Sequence, residues 1–79
     1  MTVSEAVAKR INHLLAERNI TLYRLGLNSG VLHTTLNYIM KNKTKSVNLS
    51  TVIQIAGGFD MTVYEFLTDK IFHEENLNL

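Results

Sequence analysis

The sequence predicts an all-α fold, a compact bundle of about five helices. Three observations predict it. Apolar residues recur at steps of three and four in several separate stretches, which is the helical period. Four of the five stretches have a Thr, Ser or Asn near their start that can cap a helix. None of the 79 residues is a proline, so nothing forces a break inside a helix.

The first helix is expected over residues 3–18. Thr2 and Glu5 have the spacing of a capping box, and Val3, Val7, Ile11, Leu14 and Leu15 form its apolar series. Lys9, Asn12, His13 and Glu17 fall mainly between them. Asn19 tolerates the left-handed conformation that ends a helix. Thr21 caps the second helix, in which Leu22 and Leu25 face inward. Gly26 inside that helix costs about 1 kcal/mol against alanine, and close approach of another helix is a physical reason for it. Gly30 follows Asn28 and Ser29 and suits a positive φ in a tight helix–helix turn.

The third helix is expected over about 32–40, with Leu36 and Ile39 buried and Asn42 as a left-handed stop. His33, Thr34, Asn37 and Tyr38 then make a polar outer face with little charge. The fourth helix starts at Asn48 or Ser50, with Leu49, Val52, Ile53 and Ala56 at helical spacing and Ile55 beside them. Gly57 and Gly58 weaken its last turn, and Phe59-Asp60 ends it. Thr62 and Glu65 repeat the capping-box spacing and open a fifth helix. Val63, Phe66 and Leu67 look like its core face, and it is expected to continue through Ile71 and Phe72. The remaining tail has no periodicity and is expected to fray. The organisation is one domain, residues 1–79, with a core over about 2–67 and a helix extension and tail over 68–79.

Composition narrows the function. Apolar residues are 46% and charged residues 19% of the chain, a globular balance rather than a disordered one. A core this small needs nearly all of its apolar residues. There is no cysteine, hence no disulfide and no thiolate metal site. The longest apolar run is too short to span a membrane, and no signal-peptide layout is present, so a cytoplasmic location is expected. The net charge is +1, but its distribution is polarised. Lys41, Lys43 and Lys45 cluster without an acid, whereas residues 49–79 set Lys70 against Asp60, Glu65, Asp69, Glu74 and Glu75. A basic centre of this kind suits an anion such as phosphate, and a solvated charge pattern is the plainer alternative.

An enzyme is not expected. His13, His33 and His73 lie far apart without metal-ligand spacing, no serine has an evident base, and the glycines form no phosphate loop. No cofactor is expected either.

Leu25, Gly26, Gly30, Val31, Leu36 and Ile39, with LSTVIQIA at residues 49–56 and MTVYEFL at 61–67, carry a resemblance to the lambda-repressor/Cro-like helix-turn-helix domains, also called the Xre family. The resemblance covers about residues 2–67. It implies a five-helix bundle that binds operator DNA, usually as a dimer. Position by position, the family's base-reading sites fall on Leu32, His33, Thr34, Asn37 and Tyr38. Its backbone-contacting sites fall on Thr21, Lys43, Thr44 and Lys45. The chain departs from the family at Leu32, where a small hydroxyl residue is common, at Met40 and Asn42, where glutamate and glycine are common, and at Gly57-Gly58, where helix formers are usual.

The chemistry agrees with that assignment. The major groove, about 12 Å wide, admits one helix, whose first residues lie nearest the bases. Asn37 can bond an adenine bidentately, His33 a purine edge, and Thr34 or Leu32 can touch a thymine methyl. Leu32 can instead pack inward. Lys43 and Lys45 suit phosphates, as do the Thr21 hydroxyl and the free N–H groups that begin the second helix. Of Arg10, Arg18 and Arg24, Arg24 is the one to follow. The expected function is sequence-specific double-stranded DNA binding by a small transcriptional regulator, a repressor on family resemblance, reading two half-sites as a homodimer. The alternative is a protein-interaction module of the same fold. In that case the fifth helix and tail would offer Phe66, Ile71, Phe72, Leu77 and Leu79, and Tyr23 with Leu27 a further partner surface.

Overall fold

Short polar side chains set where the helices begin. Thr2, Thr21, Asn48 and Thr62 each accept a hydrogen bond from the backbone N–H three residues on, at Glu5, Arg24, Thr51 and Glu65. Each bond satisfies a donor that the first helical turn cannot pair internally. The helices that follow are α1 (Val3–Arg18), α2 (Leu22–Ser29), α3 (His33–Met40), α4 (Leu49–Gly58) and α5 (Val63–Leu67). Two 3-10 turns, Lys70–Phe72 and Glu74–Asn76, complete the chain. The computed structural model describes residues 1–42 and 46–79.

Left-handed residues set the ends of α1 to α4. Asn19 (φ 55°) and Asn42 (φ 57°) stop α1 and α3 as their residue type suggests, and Gly30 (φ 77°) turns the chain between α2 and α3. Asp60 (φ 58°) does the same after α4. The helix–helix turn, expected at Asn28-Ser29-Gly30, starts only at Gly30, because Asn28 and Ser29 still belong to α2.

Val7, Ile11 and Leu14 from α1 meet Leu25, Val31, Leu36, Ile39, Val52, Ile55, Phe59 and Phe66 in one core. Each fully buried side chain of this size is worth about 1.5–3 kcal/mol. Helix α2 packs on α4, α1 on α3, α4 on α5, and the 3-10 turn at Lys70–Phe72 on α1. Three apolar assignments change in the folded chain. Val3 is exposed, and α1 instead buries the small residues Ser4, Ala6 and Ala8. Helix α4 turns Val52, Ile55 and Ala56 inward and continues that face with Phe59, leaving Leu49 61% and Ile53 48% exposed. Leu67, expected in the core, is also exposed.

The close helix–helix approach is at Gly58, not Gly26. A Cβ on Gly58 would lie 2.7 Å from Ser29 Cβ and 2.8 Å from Leu25 Cδ1, so the α2–α4 crossing needs glycine there. A Cβ on Gly26 would meet Leu36 Cδ1 at an ordinary 3.6 Å.

The chain end departs most from expectation. Helix α5 stops at Leu67 and does not continue through Ile71 and Phe72. Asp69 starts a separate 3-10 turn by accepting from the Ile71 N–H at 2.9 Å. The tail is tied down rather than frayed: Met1 N donates to Asn76 O at 2.9 Å, and Asn78 N donates to Met1 O at 2.7 Å. Arg10 joins α1 to this region. Its guanidinium donates to Phe66 O (2.9 Å) and Glu65 O (3.2 Å), pairs with Asp69 at 3.3 Å, and lies over the Phe66 ring.

Candidate nucleic-acid interface

Helices α2 and α3 pack against each other, and the turn between them is built by three neighbouring residues. Gly30 N donates to Gly26 O at 3.0 Å, closing α2. The Val31 N–H then donates to Ser29 Oγ at 3.1 Å, which satisfies the amide as the chain leaves the helix. Val31 is buried below the turn. Ser29 is expected in the turn from the sequence, but its hydroxyl on the Val31 amide is not. Its spacing to Val31, a hydroxyl two residues before an unpaired amide, was the available signal.

Leu36 and Ile39 hold α3 to the core, and both are essentially fully buried. Helical geometry then places His33, Thr34, Asn37 and Tyr38 within an arc of about 140° on the opposite side. His33, Thr34 and Tyr38 are exposed, and Asn37 is half-buried. Among the described residues none of these four side chains makes a hydrogen bond inside the molecule. Their donors and acceptors are left to water or to a ligand.

Leu32 is resolved by the structure in favour of the outside. It precedes α3 as its N-cap, makes no side-chain capping bond, and is 73% exposed. Helix α3 therefore starts at His33, one residue later than expected. Tyr23 of α2 meets the His33 ring edge-on, with centroids 6.1 Å apart. Tyr23 and Leu27, expected as a separate partner surface, thus line one shallow cleft with Val31, Leu32 and His33. That neighbourhood depends on the angle between two helices and left no mark in the spacing.

Thr21 caps α2, its hydroxyl oxygen accepting from the Arg24 N–H at 3.1 Å. The hydroxyl hydrogen stays available to a further acceptor. The Arg24 side chain is exposed and makes no hydrogen bond among the described residues. Arg10 and Arg18 are used within the fold, Arg18 donating to Phe59 O. Lys41 caps α3 and is exposed. Lys43, Thr44 and Lys45 lie outside the described residues.

Elsewhere, Phe66 is completely buried and is no part of an outer seam. Ile71, Phe72 and Leu77 are half-buried, and Leu79 is exposed. His73 is not helical; it lines a cleft with His13, Lys9 and Glu75 between α1 and the tail. Among the described residues no three such side chains are grouped as metal ligands. Among them, too, no helix is long and apolar enough to cross a membrane.

No curated protein matches the chain. The Cro/C1-type helix-turn-helix DNA-binding domain family matches residues 10–70, a stretch that contains the whole of α2, α3, α4 and α5 and most of α1. An all-helical bundle with a solvent-facing second helix of the motif accords with that match, and the chain belongs to the Cro/C1-type helix-turn-helix DNA-binding domains.

Proposed function

We propose that the protein is a transcriptional regulator that binds operator DNA sequence-specifically, with α3 in the major groove. The observation that carries this reading is the outer face of α3. Its hydrogen-bonding side chains lack internal partners among the described residues, while the same helix is anchored by Leu36 and Ile39. His33, Thr34, Asn37 and Tyr38, with Leu32 ahead of them, are the base-reading residues. Asn37 offers an adenine a donor and an acceptor together, and His33 addresses a purine edge. Thr21, Lys43, Thr44 and Lys45 contact phosphates. The Thr21 hydroxyl and the first N–H groups of α2 supply neutral donors, and the lysines supply charge.

Repression by operator occupancy in the cytoplasm is the regulatory mode, acting through a homodimer. Two half-sites about one helical turn apart would each receive one α3. The exposed Leu49, Ile53, Tyr64, Leu67 and Leu79 of α4, α5 and the tail supply apolar area for a second copy. The same residues favour the second reading, an interaction module that does not read DNA.

Salt separates the two. A DNA binder loses affinity steeply as salt rises, and Lys43→Ala lowers the slope of log K against log salt by about one. Selection from a random duplex pool is expected to return a palindrome. If no duplex binds at low salt, DNA binding is wrong and the interaction module stands.

A further inference from the structure

We infer that the half-site under α3 is rich in A·T pairs and is read through a thymine methyl group, with Leu32 as its probe. This rests on the DNA-binding reading above and specifies its target.

The eight residues of α3, HTTLNYIM, contain no arginine or lysine. The commonest specific reader of guanine, a cationic side chain donating to O6 and N7, is therefore missing from the helix. No aspartate or glutamate is present to accept from a cytosine N4 amino group. Asn37 supplies instead the amide that pairs with adenine N6 and N7.

Leu32 completes the selection. It stands at the N-terminal end of α3, where the first residues of such a helix come nearest the bases. It is 73% exposed and free of any capping bond. Tyr23, Leu27 and Val31 line the same cleft, so its surroundings are apolar. In the major groove the C5-methyl of thymine is the one apolar group that base pairs present. Leucine against that methyl buries two apolar surfaces. Against guanine O6 and N7 or the cytosine amino group it would remove water from polar atoms and return no hydrogen bond. Thr34 adds a second methyl-bearing side chain two residues on.

Deoxyuridine tests this, because it differs from thymidine in the base by that methyl alone. Duplexes are selected from a random pool with the full chain. Each thymine of one half-site is then replaced singly by uracil at fixed salt. The expected result is an A·T-rich half-site in which one uracil weakens binding about fourfold, the worth of one buried methyl group. Leu32→Ala is expected to bind the thymine and uracil duplexes equally, with unchanged helical circular dichroism because the side chain is exposed. Guanines throughout the half-site, tolerance of uracil at every position, or Leu32→Ala leaving the uracil penalty undiminished at every thymine would each overturn the inference. Those outcomes leave DNA binding standing. A pool that yields no enriched duplex overturns DNA binding itself, and this inference with it.

Discussion

The outer face of α3 and the region where α1 meets α5 and the tail use their polar groups in opposite ways. Around α1 and α5 several polar side chains are tied to the chain itself. Thr2 with Glu5 and Thr62 with Glu65 close two capping boxes. Arg10 binds two carbonyls and Asp69, and Asp69 in turn caps the turn at Lys70–Phe72. On α3 the hydrogen-bonding side chains have no such partner among the described residues, and apolar burial alone holds the helix. A helix held by Leu36 and Ile39 leaves the side chains of His33, Thr34, Asn37 and Tyr38 without hydrogen bonds to the described residues. Hydrogen bonds satisfied within the chain, as at Arg10, stiffen the frame but can recognise nothing else.

Exchanging residues between these two classes should break the contrast most visibly at Arg10. Arg10→Ala removes three donor contacts and the packing of its stem, and a loss of about 2–4 kcal/mol in urea unfolding is expected. Asn37→Ala should do the reverse. Stability should stay within about 0.5 kcal/mol, while operator affinity falls by about 1–3 kcal/mol if the amide reads an adenine. Equal effects of the two substitutions on stability would show that α3 is part of the frame.

The glycines at the end of α4 give a second, smaller test. Gly58→Ala forces a Cβ against Ser29 and Leu25 and should cost about 1–3 kcal/mol, shifting α2 and with it the motif. A Cβ on neighbouring Gly57 would meet nothing within 4 Å, so Gly57→Ala should raise stability by about 0.5–1 kcal/mol. Thermal melts of the two variants should move in opposite directions.

The smallest effect is a pH dependence confined to the frame. The Thr2 backbone N–H, and then its hydroxyl, hold the Glu5 carboxyl below its ordinary value, and Thr62 does the same for Glu65. With the folded value depressed, the unfolded chain binds more protons in that window. The contribution is fully present above 4.5 and is lost as pH falls through the lower folded value. Glu65→Gln keeps an acceptor for the Thr62 N–H and should flatten this acid loss in urea midpoints measured against pH. An unchanged acid profile would place the acid sensitivity elsewhere.

Much of the candidate interface was legible because its signals are local. Leu36 and Ile39 at a spacing of three orient α3, so the outward placement of His33, Thr34 and Tyr38 follows from helical geometry alone. The Tyr23–His33 contact and the cleft around Leu32 were not legible, since they require the α2–α3 crossing. Helix α4 shows the same limit in another form. With Leu49, Val52, Ile53, Ile55 and Ala56 around most of its circumference, its apolar pattern points in no single direction. Only packing on α2 and α5 chose Ile55, Ala56 and the following Phe59 over Leu49 and Ile53.

The sequence by itself determined the all-helical class, the capped starts of α1, α2 and α5 and the left-handed stops at Asn19, Gly30 and Asn42. Each of these is settled by hydrogen bonds and backbone preferences spanning three or four residues. Tertiary structure decided what depends on distant neighbours. It stopped α5 at Leu67, and it folded the tail back through Arg10 and Asp69, 59 positions apart in the chain. It also made Gly58 the point where two helices touch. Contacts across such separations leave no periodic trace, because their partners are brought together only when the whole core closes.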